Sequence, residues 1–237
     1  MRLICALFVI GFVAACDEVT TAPAGGTVVA GVTDPVDELR TPDQALRAFA
    51  QVVDRVEPVA ERECQRRTRN VDCDFRILVD DRRGLPPNAY QTLDDNDRPI
   101  IAFTIALIAD ARNADELAFV MSHEAAHHIR GHIARQKQNA AAGAQIFAGI
   151  ANSIGGDASA VEAAQRIGAS VGARTYSKDF ELEADELGTI LTARAGYDPL
   201  KGALFFNRIP DPGDRFLGTH PPNAQRIETV RRTAANL

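Results

Sequence analysis

The 237-residue chain has no basic stripe, no internal repeat, no long uninterrupted apolar run and only four cysteines. Each absence removes a class of protein. A permanent membrane-spanning helix needs about 20 consecutive apolar residues. The apolar run Leu3 to Val13 is shorter than that, and Ala140 to Gly156 is too short and too rich in glycine. Net charge is −6 with a pI near 5.4. Arg66-Arg67 and Arg82-Arg83 sit in mixed-charge sequence, as a solvated face does, so no nucleic-acid partner is expected. Without a repeat, the chain reads as a single domain rather than an array. No second cysteine pair accompanies Cys64 and Cys73, which argues against a thiolate zinc site. The acidic turn Asp94-Asp95-Asn96-Asp97 lacks the glycine and terminal glutamate of a calcium loop.

What is present begins at the N-terminus. Arg2, the apolar run and the small residues Ala14-Ala15 compose a secretory signal over residues 1–15. Val13-Ala14-Ala15-Cys16 also resembles a lipobox, the processing signal of bacterial lipoproteins. That resemblance implies a diacylglyceryl group on Cys16 and cleavage just before it; an ordinary signal ending near Ala15 is the alternative. The expected location is the periplasmic face of a bacterial membrane, inner or outer, with the membrane as partner through the lipid. Residues 16–40 are rich in Thr, Ala, Gly, Pro and Asp, as a flexible tether would be. Residues 41–237 are expected to form one domain. Cys64 and Cys73, an even pair in an oxidising compartment, are expected to form a disulfide worth about 2–3 kcal/mol.

The chemistry concentrates in His123-Glu124-Ala125-Ala126-His127. Two histidines four apart on a helix lie about 40° apart in azimuth, so both imidazoles reach one ion. Glu124 lies about 100° from His123, near enough to a water on that ion to move its proton without being a ligand. Asn113 and Glu116 form a capping-box start, and Leu117, Val120, Met121 and Ala125 supply an apolar face for a helix over Ala114 to Lys137. A catalytic zinc site needs a third ligand and an open position. Glu181 is the best source, with Asp185 on the same helix face to accept the free N–H of a ligand histidine. Glu183 lies about 200° from Glu181 and is expected to point away. His128 and His132 fall about 140° from His123 and His127 on a continuous helix, off the ligand face, and are expected to make structural hydrogen bonds.

The remaining chain reads as a capped helix from Thr41-Pro42-Asp43-Gln44 that Pro58 should kink or end. Strands follow at 75–80, 88–93 and 99–103, then a short helix at 104–111. The segment 140–156, with Ile146, Phe147, Ile150 and Ile154 on one face, is expected to be a core helix ending near Gly155-Gly156; a lid or a membrane-leaning segment is the alternative. Helices are expected from about 157 to 171, 177 to 195 and 223 to 235. The fold class is α+β: a small β-sheet ahead of the zinc helix, packed on a mostly helical body.

Three ordered motifs then amount to a family resemblance: the zinc helix, Ser177-Lys178-Asp179-Phe180-Glu181-Leu182-Glu183-Ala184-Asp185, and Thr219-His220-Pro221-Pro222 with Arg226-Ile227. Together they resemble the HtpX / CAAX-prenyl-endopeptidase family of gluzincin (zincin-type) metallopeptidases, in its small exported form, over roughly residues 75–232. The resemblance implies one Zn²⁺ per chain held by His123, His127 and Glu181, with Glu124 as general base and Asp185 behind a ligand histidine. It places His220 near the metal, as oxyanion donor or fourth ligand, and Arg226 in support of the C-terminal segment. It implies an endopeptidase of the cell envelope acting on unfolded or misassembled polypeptides, the substrate extended along the strand from Pro99 to Phe103. The rival reading is a latent, chaperone-like lipoprotein with a closed zinc site.

Overall fold

The computed structural model describes residues 41–213, 215 and 217–237. The expected signal segment 1–15, lipidation at Cys16 and tether 16–40 lie outside the described residues. Helix α1 (Pro42–Arg67) opens with the expected reciprocal cap between Thr41 and Gln44. Pro58 does not end it. The carbonyl that Pro58 leaves without a partner belongs to exposed Asp54, while the buried stripe Val52, Val56, Val59, Ala60 continues past the proline. Thr68 caps the end of α1, and a disulfide joins Cys64 to Cys73 in the loop that follows.

Strands β1 (Arg76–Asp80), β2 (Ala89–Leu93) and β3 (Pro99–Thr104) form one mixed sheet in the order β1-β3-β2. β1 runs parallel to β3, and β2 pairs antiparallel with it, Tyr90 opposite Ala102. The acidic turn makes the β2–β3 hairpin. Asp94 Oδ1 accepts from the N–H groups of Asn96 and Arg98, and Asp97 takes the left-handed conformation at φ 62°. β3 is therefore central, and its buried Ile101 and Phe103 enter the main core with Phe49, Leu107 and Met121.

Thr104 caps the short α2 (Ile105–Asp110). α3 (Ala114–Ile129) starts at Asn113, whose side chain accepts from Glu116 N; the Glu116 carboxylate takes the Arg112 N–H and is gripped by Arg208. The helix expected to run to Lys137 stops eight residues earlier. Gly131 adopts φ 66°, and a new helix α4 (His132–Ser153) departs from it. A Cβ at Gly131 would meet nothing within 4 Å, so glycine serves the backbone conformation, not the space.

α4 and α5 (Ala158–Thr175) form an antiparallel hairpin whose helices touch backbone to backbone. A Cβ at Gly143 would lie 2.1 Å from Gly168 O, and one at Gly172 2.1 Å from Asn139 O. This packing corrects the expectation of a core helix over 140–156. Ile146, Ile150 and Ile154 are 61%, 54% and 79% exposed, because glycine contacts, not the isoleucine face, hold α4 to α5. α6 (Ser177–Arg194) returns along α3. The short α7 (Pro199–Gly202), a 3₁₀ turn over Ala203–Asn207 and α8 (Asn223–Ala234) close the far side of α3 around Phe119, Phe206 and Val230. No helix among the described residues is long and apolar enough to cross a membrane.

Candidate metal centre

α3 and α6 pack backbone against backbone where Gly188 meets His123: a Cβ on Gly188 would lie 3.1 Å from both Cα and N of His123. Glu181, Asp185, Gly188 and Thr192 are spaced to share one face of α6, and Asp185 and Thr192 are fully buried there. That face brings Glu181 to the two histidines of α3. His123 Nε2 and His127 Nε2 are 3.0 Å apart, and each lies 3.5 Å from a Glu181 carboxylate oxygen. Ligand atoms about 2.0–2.1 Å from one tetrahedral zinc stand roughly 3.3 Å apart, so two imidazole nitrogens and a carboxylate at these separations fit that ion. Among the described residues, His123, His127 and Glu181 form the one group of this kind.

His123 Nδ1 lies 3.0 Å from Asp185 Oδ1. Arg226 grips the buried Asp185 carboxylate through Nε and Nη2, both at 2.7 Å, rests its guanidinium 4.0 Å from the centre of the Phe206 ring, and places Nη2 3.4 Å from Glu181 Oε2. The C-terminal helix is thus tied directly to the site. His220 Nδ1 sits 3.2 Å from Glu181 Oε2, its side chain half exposed at the cleft mouth. Glu124 is half buried and lines the cleft together with Gln91 of β2.

The two imidazoles carry opposite biases. Burial disfavours a charged His123, but the Asp185 and Glu181 carboxylates outweigh it and raise its pKa to about 9. Burial, reinforced by the neighbouring His123, holds His127 well below the ordinary imidazole value, so it stays neutral with a lone pair free. Burial also opposes the charge on Glu181, yet hydrogen bonds from His123 and His220 keep its carboxyl well below the usual range. Glu124 goes the other way: burial, then Glu181, raise it, which makes it the better proton acceptor.

Two expectations need correction. The free edge beside the cleft is β2, not the strand Pro99–Phe103, because β3 is paired on both sides. The Thr104 N–H donates to Asn88 O at 2.9 Å, so antiparallel alternation turns the N–H and C=O of Ala89 and Gln91 outward. A cleft of about 580 Å³ runs between that edge, α3 and the loop carrying His220. Secondly, His132 does not continue α3. The turn at Gly131 folds it back to 2.8 Å from His127, Nδ1 to Nδ1. Glu183 does point away from the ligands, but only as far as Arg135 and His132. His128 lies with Nε2 2.7 Å from Asp72 O, tying α3 to the disulfide loop. Gly131 carried the missed signal: a glycine with basic and histidine residues ahead of it is a helix stop.

The model of peptidase family M48 matches residues 47–234. The chain belongs to that family. A Vibrio cholerae protein named as a beta-barrel assembly-enhancing protease is 32% identical over 148 residues, covering 56% of this chain and 30% of that protein. This M48 chain therefore spans less than a third of that relative's length in the match. The chain is thus a member of a peptidase family, and among the described residues the His123–His127–Glu181 cluster is where a metal fits.

Proposed function

We propose that this M48 chain is a zinc endopeptidase of the bacterial envelope, exported and lipid-anchored at Cys16, that cuts unfolded or misassembled polypeptides. The observation that carries the reading is the meeting of His123, His127 and Glu181, from two helices more than 50 residues apart, beside a half-buried glutamate. The site residues fit one Zn²⁺, which when bound supplies Lewis-acid polarisation of the scissile carbonyl and a lowered water pKa. Glu124 accepts the proton of the attacking water and passes it to the leaving amine. Asp185 and Arg226 hold His123 from behind. His220, at the mouth of the cleft, is placed to donate to the oxyanion.

An extended peptide laid along β2 would pair with the outward groups of Ala89 and Gln91. Backbone pairing of this kind selects for extended chain over side-chain identity, which suits unfolded substrates. The name of the Vibrio relative, with its reference to β-barrel assembly, supports an envelope setting.

The test is cleavage of an unfolded reporter protein by the zinc-loaded chain and by Glu124→Gln. Removal of a general base costs about 10²–10⁴-fold in rate. Equal turnover by the two proteins refutes the role of Glu124. Zinc uptake without cleavage by either refutes the endopeptidase reading and favours the latent one.

A further inference from the structure

The two facing imidazoles are held by different devices. Behind His123 stands the Asp185–Arg226 pair. Behind His127 stands a chain of side chains that the motif itself does not contain. His127 Nδ1 lies 2.8 Å from His132 Nδ1, and His132 Nε2 lies 3.3 Å from Glu183 Oε2. Arg135 clamps both oxygens of Glu183, at 2.6 and 3.0 Å. His132 is 4% exposed and stacks on Phe180, ring centres 4.7 Å apart and planes within 8°, so its orientation is fixed. His132 is no ligand itself, since the nitrogen it offers faces the far side of the His127 ring.

The proton order along this chain follows from its outer end. An Arg-clamped carboxylate is an acceptor only, so Nε2 of His132 must be the donor to it. The other nitrogen of a neutral imidazole then carries a lone pair, and that nitrogen faces His127. His127 must therefore hold its own proton on Nδ1. An imidazole protonated at Nδ1 presents its lone pair at Nε2, the atom that faces His123 and Glu181. We propose that His132 and Glu183 are positioning residues: they fix the tautomer and ring orientation of His127 and so aim its Nε2 at the metal. The proposal rests on the metal-centre reading. Gly131 is the backbone device that makes it possible. On an unbroken helix His132 would sit about 140° round from His127 and could not reach its ring.

The experiment uses the full chain. Zinc affinity is measured by chelator competition for the wild type, His132→Phe, His132→Asn and Glu183→Gln, together with long-range ¹H–¹⁵N NMR of the histidine rings. Phe removes the acceptor and should weaken zinc binding about 10- to 100-fold, the usual effect of losing a partner behind a ligand histidine. It should also scramble the His127 tautomer. Asn keeps an acceptor oxygen where Nδ1 stood, so it should recover most of the loss and the Nδ1–H tautomer. Glu183→Gln should weaken binding less than Phe does. A Phe variant within twofold of wild type, or an Asn variant no better than Phe, overturns the relay while leaving the metal site standing. If the Phe variant does not fold, Glu183→Gln decides, and unchanged affinity and tautomer there overturn the relay. A wild type that takes up no zinc overturns the metal-centre reading and the relay with it.

Discussion

Gly188→Ala should loosen the metal site without touching any residue in it. The added Cβ would stand 3.1 Å from Cα and N of His123. That is tighter than ordinary van der Waals contact, so α6 must retreat from α3 by about a few tenths of an ångström. The obstructing atoms are helix backbone and cannot swing aside. Glu181 lies about 10 Å along α6 from the contact and Asp185 about 5 Å, so both ride with the displacement. Metal sites tolerate about 0.2 Å in ligand distance. Zinc affinity should fall about 10- to 100-fold, or about 1.4–2.7 kcal/mol. Global stability should fall by about 0–2 kcal/mol. Overpacking costs about 1–3 kcal/mol, and replacing a mid-helix glycine by alanine returns about 1 kcal/mol of helix propensity. Gly149→Ala is the control, since a Cβ there meets nothing within 4 Å. It should stabilise slightly and leave zinc affinity unchanged. Chelator competition and urea unfolding of the ion-free proteins give both numbers. If Gly188→Ala binds zinc as tightly as the control, the close crossing of α3 and α6 does not set the ligand geometry.

Glu63, 2% exposed, joins α1 to α6 through Arg67, Arg66 and Arg194. Burial alone would raise its pKa, but the three guanidinium groups hold it below 4.5. A carboxyl depressed on folding stabilises the protein above its unfolded pKa and ceases to as pH falls through the folded value. Glu63→Gln should therefore cost about 1–2 kcal/mol at pH 7, discounted for the exposure of Arg66 and Arg194, and progressively less as pH falls through the folded value; a pH-independent loss in urea midpoints would refute the linkage. His220→Ala should lower kcat about 10²-fold with zinc content unchanged; a rise in turnover would instead identify His220 as a closing ligand. Gly168→Ala sets a Cβ 2.3 Å from Gly143 O, and should raise amide exchange across α4 and α5 while β3 stays protected; unchanged exchange would mean that the hairpin packs otherwise.

The sequence was most legible where local chemistry and function coincide. The Thr41 cap and the Asn113 cap are spelled out by short-range hydrogen bonding, and the three strands fall within a residue or two of where alternation and turns put them. The ligand face of α3 follows from the period of a helix alone. What was not legible depends on contacts between distant segments. Strand order cannot be read from three short apolar runs, and it decides that β2 carries the free edge. α1 runs on through Pro58 because the carbonyl that the proline orphans faces water, which spacing along the chain does not reveal. The isoleucines of α4 have the spacing of a core helix, but three glycines elsewhere in the hairpin take over the packing.

α6 shows why the site needs a second helix of this composition and not merely a third ligand. Its face at 181, 185 and 188 meets α3, and places one carboxylate at the candidate metal position and another behind His123. Two neighbouring positions, Phe180 and Glu183, meet the start of α4 instead, and there they hold the histidine that stands behind His127. One helix thus governs both imidazoles through separate faces. A helix can do this only if α3 ends where it does: had α3 continued to Lys137, His132 would point elsewhere and Glu183 would have nothing to hold. The break at Gly131 and the crossing at Gly188 are therefore parts of the same design, one fixing how the histidines turn and the other how near the carboxylates come.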